Sequence, residues 1–136
     1  MGQSKHFQWL SVWFSLIALD QLSKWFFQPL SLNTGISFGW KIGSSAFVQL
    51  ALVVVVFGAL SAWICSLFSS LGRLSRWGVV LVMAGAFSNI LDRVFLGGVR
   101  DWLVFPFFGF TNNIADIWIT LGVFCILIAG ATRTKL

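Results

Sequence analysis

Residues 76–95 read RWGVVLVMAGAFSNILDRVF, and this stretch decides the class of protein to which the chain belongs. No charged residue occurs between Arg76 and Asp92, and the polar residues gather toward the end of the stretch. A helix that crosses a bilayer needs about 20 predominantly apolar residues. The stretch therefore predicts a transmembrane helix with a cluster of polar side chains at one end.

The composition of the whole chain extends this prediction. Of its 136 residues 58% are hydrophobic and only 10% are charged, whereas a soluble domain carries about 25% charged residues. So short a chain cannot bury this much apolar surface in one core, because small domains leave much of their surface in water. We predict an all-α membrane protein, a single integral membrane domain over residues 1–136 with four transmembrane helices. These helices cover about 7–27, 47–69, 76–95 and 113–131.

The basic residues predict the orientation in the membrane, because cytoplasmic loops are enriched in lysine and arginine. Five of them flank the N-terminus, the second loop and the C-terminus, which four spans place on one side: Lys5, Arg73, Arg76, Arg133 and Lys135. The other four share the opposite side with all four acidic residues, so the whole net charge of +5 lies on the first side. We therefore expect both termini in the cytoplasm. Basic residues scattered at helix ends do not form a nucleic-acid site, and no nucleic-acid partner is expected.

All four acidic residues are aspartates near the predicted outer ends of the helices. A charged residue at the centre of a transmembrane helix costs about 2.5–3.5 kcal/mol, so it persists where it is paired or has a function. Spacings of three and four residues place three groups on common helix faces: Asp20 with Lys24, Asn89 with Asp92 and Arg93, and Asn113 with Asp116. Asp101 follows Gly97 and Gly98 in the segment before the fourth helix. We expect it at the same membrane level as Asp116.

The available residue types limit the chemistry at the outer face. His6 is the one histidine and lies in the predicted cytoplasmic tail, which excludes a histidine-dependent triad and a histidine-type metal site. We expect no metal and no cofactor. Two carboxylates held close together share one proton, so one can activate a water while the other acts as an acid. Asp101 and Asp116 are the candidate pair, although spacing alone leaves ion conduction or simple salt bridging open.

Five short segments occur in order along the chain: DQLSK at 20–24, NTGISFG at 33–39, GAFSNILDR at 85–93, GVRD at 98–101 and NIAD at 113–116. Together they resemble the lipoprotein signal peptidase family, also called signal peptidase II. The resemblance implies a hydrolase of the bacterial cytoplasmic (inner) membrane. Such an intramembrane aspartyl endopeptidase removes the signal peptide from diacylglyceryl-modified prolipoproteins by cutting just before the lipidated cysteine.

The same resemblance implies a role for each polar position. Asp101 and Asp116 would be the catalytic aspartates. Seven further residues would hold this pair and the substrate backbone: Asp20, Lys24, Asn33, Asn89, Asp92, Arg93 and Asn113. Segments at about 31–46 and 98–111 would form a small extracytoplasmic β-cradle and a flanking loop. The implied partners are diacylglyceryl prolipoproteins and membrane lipid, and we expect a monomer with its active site at the outer face.

Several positions depart from the family's usual residues, among them Ser88, Asn112 and Ile117. The departure with the clearest physical meaning is Arg100, which puts a charge beside Asp101 where an apolar residue is usual. If Arg100 faced the dyad it would favour an ionised carboxylate and oppose proton sharing. Alternation along a strand would instead point it away from the side of Asp101.

Two other functions remain open at this point. One is a non-cleaving relative that binds lipoprotein precursors, which the sequence alone separates poorly from a protease. The other is a small membrane transporter, for which polar residues would be needed at several depths. The inner halves of the second and fourth predicted helices are almost purely apolar, and this argues against a transporter.

Overall fold

The computed structural model describes residues 3–27, 31–34, 46–107 and 109–133. Within these ranges the α-helices are α1 (Gln3–Phe26), α2 (Ala46–Leu67), α3 (Arg73–Leu96) and α4 (Ile114–Arg133). A short 3-10 helix, Phe68–Ser70, follows α2. The strands are β1 (Ser31–Asn33), β2 (Val99–Asp101), β3 (Leu103–Phe105) and β4 (Phe110–Asn112). Each helix overlaps one of the predicted spans and differs from it by only a few residues at either end.

Three of these helices are long and apolar enough to cross a membrane, in the stretches Leu50–Leu67, Arg73–Leu96 and Ile114–Thr132. Helix α1 is equally long, but Asp20, Gln21 and Lys24 in its last two turns reduce its apolar character. The described residues thus form a mostly helical protein with three candidate membrane helices and two small sheets. The membrane crossing by α1 stays a prediction.

The distribution of side chains is the reverse of that in a soluble protein. The largest fully buried side chains are all polar or charged: Lys24, Asn113, Asp20, Asp92 and Ser88. Large apolar side chains point outward on three helices, with Trp25 71%, Val55 68% and Phe95 78% exposed. Soluble monomers rarely expose large contiguous apolar patches. This surface fits lipid contact, and the polar interior marks the region where function is to be sought.

Helices α3 and α4 pack closely through small residues. A Cβ atom added at Gly78 would lie 2.6 Å from the carbonyl oxygen of Gly122, and one added at Gly85 would collide with the carbonyl oxygen of Ala115. Small residues allow helix backbones to approach in this way in membrane proteins. The close packing brings the polar end of α3 against the first turn of α4.

Two short antiparallel pairs of strands lie at this polar end. Strand β1 pairs with β2, with Ser31 opposite Asp101 and Leu32 opposite Arg100, and β3 pairs with β4. The chain enters β2 through Gly97, whose φ of 75° ends α3 in the left-handed conformation that suits glycine. The strands fall in the two segments predicted to form a β-cradle, although residues 35–45 of the first segment lie outside the described residues.

Candidate active site

Asp20 connects three helices at the polar end of the molecule. Its Oδ1 accepts a hydrogen bond of 2.8 Å from the backbone N–H of Ala115, in the first turn of α4. Its Oδ2 accepts one of 2.7 Å from the hydroxyl of Ser88 in α3 and lies 2.7 Å from Nζ of Lys24. A carboxylate is favourable at a helix N-terminus, where backbone N–H groups lack partners within the helix. Asp20 therefore fixes the start of α4 against α1 and α3.

Lys24 is fully buried and is surrounded by acceptors. Besides its pairing with Asp20, its Nζ lies 3.3 Å from Oδ2 of Asp92 and donates a 3.0 Å hydrogen bond to Oδ1 of Asn89. These three partners match the three donors of an ammonium group. An isolated buried charge would be costly, so the two carboxylates and Lys24 require one another. The Asp20–Lys24 pair predicted from helical spacing is present.

Asp92 is buried in α3 and is shared between two cations. Besides the contact of its Oδ2 with Lys24, its Oδ1 lies 2.8 Å from Nη2 of Arg100. Its Oδ2 also accepts a hydrogen bond of 3.0 Å from the backbone N–H of Arg100. Arg100 thus points to the opposite side of β2 from Asp101, as strand alternation predicted. The predicted neighbour Arg93 donates a 3.3 Å hydrogen bond to the backbone carbonyl of Asn89.

Asp101 ends β2 and is only 2% exposed. Its Oδ1 accepts a hydrogen bond of 2.7 Å from Nδ2 of Asn113, and its Oδ2 accepts one of 3.3 Å from Nδ2 of Asn33. Burial raises the pKa of the Asp101 carboxyl above its ordinary value, and the two amide hydrogen bonds and the charges of Lys24 and Arg93 offset part of this rise. The Asp101 carboxyl therefore keeps a proton to higher pH than an exposed aspartate.

Asp116 lies in the first turn of α4, and two asparagines hold it. Its Oδ1 accepts a 2.8 Å hydrogen bond from Nδ2 of Asn89. Its backbone N–H donates one of 3.0 Å to Oδ1 of Asn113, which is the contact made by an asparagine at a helix N-cap. Asn113 therefore bonds to both aspartates, and Asn89 connects Asp116 to Lys24.

Asp101 and Asp116 line one cleft of about 860 Å³. Asn33, Asn89 and Arg93 also line it, and α2 contributes an apolar wall that consists of Leu52, Val53, Val56, Phe57 and Leu60. The cleft thus combines a polar end that carries two carboxylates with a wall that suits lipid or an apolar peptide. Such a pair can share a proton and activate a water.

All nine predicted site residues make at least one hydrogen bond or ion pair with another member of the set or its backbone. Sequence reasoning missed the role of Gln21, whose Nε2 donates to Oγ of Ser88 at 2.8 Å and to Oδ1 of Asp92 at 3.1 Å. Ser88 was recognised only as a departure from the residue usual in the family, and its bonds to Gln21 and Asp20 were not predicted. The available signal was that Gln21 lies three residues before Lys24 and so shares its helix face.

Comparison with known proteins gives a consistent result. The sequence model of the family described as Signal peptidase (SPase) II matches residues 12–132. Three relatives are each named "Lipoprotein signal peptidase". The one from Fusobacterium nucleatum is 33% identical over 97 residues, which cover 71% of this chain and 58% of the relative. The one from Rhodopseudomonas palustris (strain TIE-1) is 31% identical, over 93% of this chain and 85% of the relative. The one from Solibacter usitatus is 30% identical, over 88% of this chain and 87% of the relative.

Two solved structures, both described as bacterial membrane enzymes, share the fold. One superposes with a TM-score of 0.75 at 22% sequence identity, over 94% of this chain and 90% of the other. The second has a TM-score of 0.73 at 21% identity, over 90% and 91%. The arrangement of helices and short strands is therefore one that bacterial membrane enzymes adopt.

Proposed function

The chain belongs to the signal peptidase II family of membrane peptidases, and from this premise we propose that it removes the signal peptide from diacylglyceryl-modified prolipoproteins. The cut falls just before the lipidated cysteine. The observation that carries the proposal is that Asp101 and Asp116 line one cleft and are both bonded to Asn113. This pair of aspartates forms the catalytic dyad.

The reaction uses one proton shared by the dyad. The ionised carboxylate takes a proton from a water, and the water oxygen attacks the carbonyl carbon of the scissile peptide. The protonated carboxyl donates its proton to the carbonyl oxygen, which gives a neutral tetrahedral diol. Collapse of the diol breaks the C–N bond: the leaving nitrogen of the cysteine takes a proton from the protonated carboxyl, and one diol hydroxyl gives its proton to the ionised carboxylate, which restores the single shared proton. Because the two aspartates titrate as a unit, the acid and base roles belong to the pair.

The surroundings of Asp101 support proton sharing. Burial raises the pKa of Asp101, which favours a protonated carboxyl and therefore one proton retained by the pair. Arg100 does not face the dyad, because its side chain bonds to Asp92 and Gln21. The charge that could have favoured two ionised aspartates is therefore used elsewhere.

The proposed membrane arrangement is a single integral domain with four transmembrane helices and both termini in the cytoplasm of a bacterium. Support for α1 as the fourth span comes from its two faces. The polar residues near its end point inward, where Asp20 and Lys24 are fully buried, while Leu19, Leu22 and Trp25 point outward and are more than half exposed. A helix that hides its charges in this way can contact lipid with the rest of its surface.

The substrate's lipid and its apolar signal sequence fit the apolar side of the cleft. The wall from α2 offers Val53, Val56 and Phe57 to the same space that holds the dyad. The peptide bond then lies toward the polar end, where Asn33 and Asn89 can bond its backbone. In this arrangement the monomer acts at the outer face of the cytoplasmic (inner) membrane.

The test is cleavage of a synthetic precursor peptide with a diacylglyceryl cysteine by purified protein in detergent micelles. Asp101→Asn and Asp116→Asn each remove one member of the dyad and are expected to lower kcat on the order of 10³-fold or more, as loss of a catalytic group does. Circular dichroism and thermal unfolding check that each variant folds. The control is Arg73→Gln, which removes an exposed positive charge on α3 and is expected to keep wild-type activity.

Two results would contradict the proposal. Wild-type kcat in either aspartate variant would exclude the dyad. Wild-type protein that binds the precursor but leaves it intact would point to the non-cleaving relative instead.

A further inference from the structure

Arg100 lies next to a dyad residue in sequence but contributes nothing to the cleft lining. Its Nε and Nη2 donate hydrogen bonds of 3.3 and 2.8 Å to the carboxylate of Asp92, and its backbone N–H donates a third of 3.0 Å. Nη2 also donates one of 2.7 Å to Oε1 of Gln21. The Arg100 side chain is 19% exposed, and the Asp92 carboxylate that it contacts is 1% exposed.

The partners of Arg100 belong to two different helices. Gln21 lies on α1, and Asp92 lies on α3. Gln21 in turn donates to Asp92 at 3.1 Å and to the hydroxyl of Ser88 at 2.8 Å. We name Arg100, Asp92 and Gln21 the clamp. Each of the three bonds to the other two, and together they join β2 to both helices.

The end of β2 is also held by Trp102, the next residue, whose backbone N–H donates to the carbonyl oxygen of Asn112 at 3.0 Å, but the strand itself is short. The strand has three residues and pairs with one other strand of the same length, and isolated two-stranded pairs are marginal in stability. The chain reaches it through Gly97 and Gly98, and glycine permits many backbone conformations. The side chain of Asp101 is held by asparagines, and Arg100 adds an anchor for the backbone of the strand itself.

The clamp also balances the buried charges. Asp20 and Asp92 carry two negative charges, and Lys24 and Arg100 carry the two positive charges that contact them. Without Arg100, Lys24 alone would face both carboxylates. Breaking a buried pair by removing one partner is costly, because it leaves an uncompensated charge.

From this geometry, and resting on the proposed function, we infer that Arg100 is a positioning residue that holds Asp101 at the distance from Asp116 which catalysis requires. It does so from the rear of β2, through Asp92 and Gln21. Because Arg100 does not line the cleft, it affects the rate of the chemical step and not the binding of the substrate.

The activity test compares Arg100→Gln and Arg100→Lys with wild type and with Arg73→Gln, which also removes one positive charge. A displacement of about 1 Å at a reacting group can cost on the order of 100-fold in rate. We expect Arg100→Gln to lower kcat by about 10- to 100-fold with KM unchanged. Arg100→Lys keeps the charge but loses the planar fork, and it should recover part of kcat. A fall in kcat that merely follows the fraction of unfolded protein, or a change confined to KM, would overturn the inference.

A double-mutant cycle with Asp92→Asn tests whether Arg100 acts through the clamp. If it does, Arg100→Gln costs little further activity in the Asp92→Asn background, because the pair is already disrupted there, although Asp92→Asn alone also removes the partner of Lys24. Losses in kcat that multiply would mean that Arg100 acts independently of Asp92, and the inference would fail.

Hydrogen–deuterium exchange in micelles separates this inference from the proposed function, because it needs no substrate. Arg100→Gln should speed exchange in residues 97–103 and leave the α3–α4 contact at Gly78 and Gly122 unchanged. If wild type does not cleave the precursor but this local change is seen, the proposed function fails and the anchoring of β2 stands. If wild type cleaves and Arg100→Gln matches it in kcat and exchange, Arg100 has no positioning role.

Discussion

Asn113 holds both proposed catalytic aspartates with one buried side chain. Its oxygen accepts the backbone N–H of Asp116 at 3.0 Å, and its nitrogen donates to Asp101 at 2.7 Å. The asparagine amide offers an acceptor oxygen and a donor nitrogen on one short side chain, whereas an ionised aspartate only accepts. An aspartate at this position would keep the cap of α4 but would set a second negative charge against Asp101. The chemistry of the site thus explains why the cap is asparagine rather than aspartate.

The raised pKa of Asp101 predicts a cost in stability that depends on pH. Burial disfavours the charged form of Asp101 in the folded protein. The stability that the protonated carboxyl contributes is therefore fully present below its ordinary pKa and is lost as pH rises through the raised pKa. Asp101→Asn is permanently neutral, and it is expected to raise Tm at neutral pH. The gain should vanish below about pH 4, where the wild-type carboxyl is protonated in both states. Thermal unfolding across this pH range measures the difference.

Asp20→Asn is the control with the opposite sign. It removes the negative charge that Lys24 contacts at 2.7 Å, so it should lower Tm at neutral pH. If Asp101→Asn also lowers Tm at neutral pH, the charged form of Asp101 is favoured by the fold and the argument from burial is wrong.

At the scale of elements, the close contact of α3 with α4 sets the position of Asp116, one member of the proposed dyad. Gly78→Ala would place a Cβ 2.6 Å from the carbonyl oxygen of Gly122, and overpacking of this kind costs about 1–3 kcal/mol. We expect a lower Tm and a lower kcat, because the first turn of α4 carries Asp116. Gly58→Ala is the matched control, since a Cβ there meets nothing within 4 Å. Equal Tm values in the two variants would show that the helices are not in close contact at Gly78.

The sequence predicted the helices and some of the site, for reasons that particular residues make clear. Long charge-free runs located the helices, and spacing within a helix predicted the Asp20–Lys24 pair. Contacts between elements, such as Lys24 with Asn89, depend on how the helices pack, and no local pattern encodes this. The pairing of Ser31 with Asp101 joins two three-residue strands, which are too short for a recognisable pattern. The resemblance to a family supplied the complete set.

At the scale of the whole molecule, the buried polar network and the apolar surface suit a bilayer. The proposed orientation predicts which cysteine substitutions an impermeant thiol reagent reaches from outside intact cells. In a background that lacks Cys65 and Cys125, Phe107→Cys should react, because Phe107 is 97% exposed in the turn between β3 and β4. Arg73→Cys should react only after the membrane is opened. The reverse pattern would place the termini outside and contradict the orientation.

Helix α2 differs from the other walls of the cleft in how it is attached. Its stretch Leu50–Leu67 has no buried residue, and it contributes only apolar side chains to the cleft. In the described part of the chain, the carboxylates of Asp101 and Asp116 accept hydrogen bonds from Asn33, Asn89 and Asn113, which lie outside α2. A sideways shift of α2 would therefore change the width of the cleft and keep the distance between Asp101 and Asp116, the proposed reacting groups. In the proposed function, the range of precursor sizes that the cleft accepts would therefore depend on α2, while the position of the cut would depend on the aspartates.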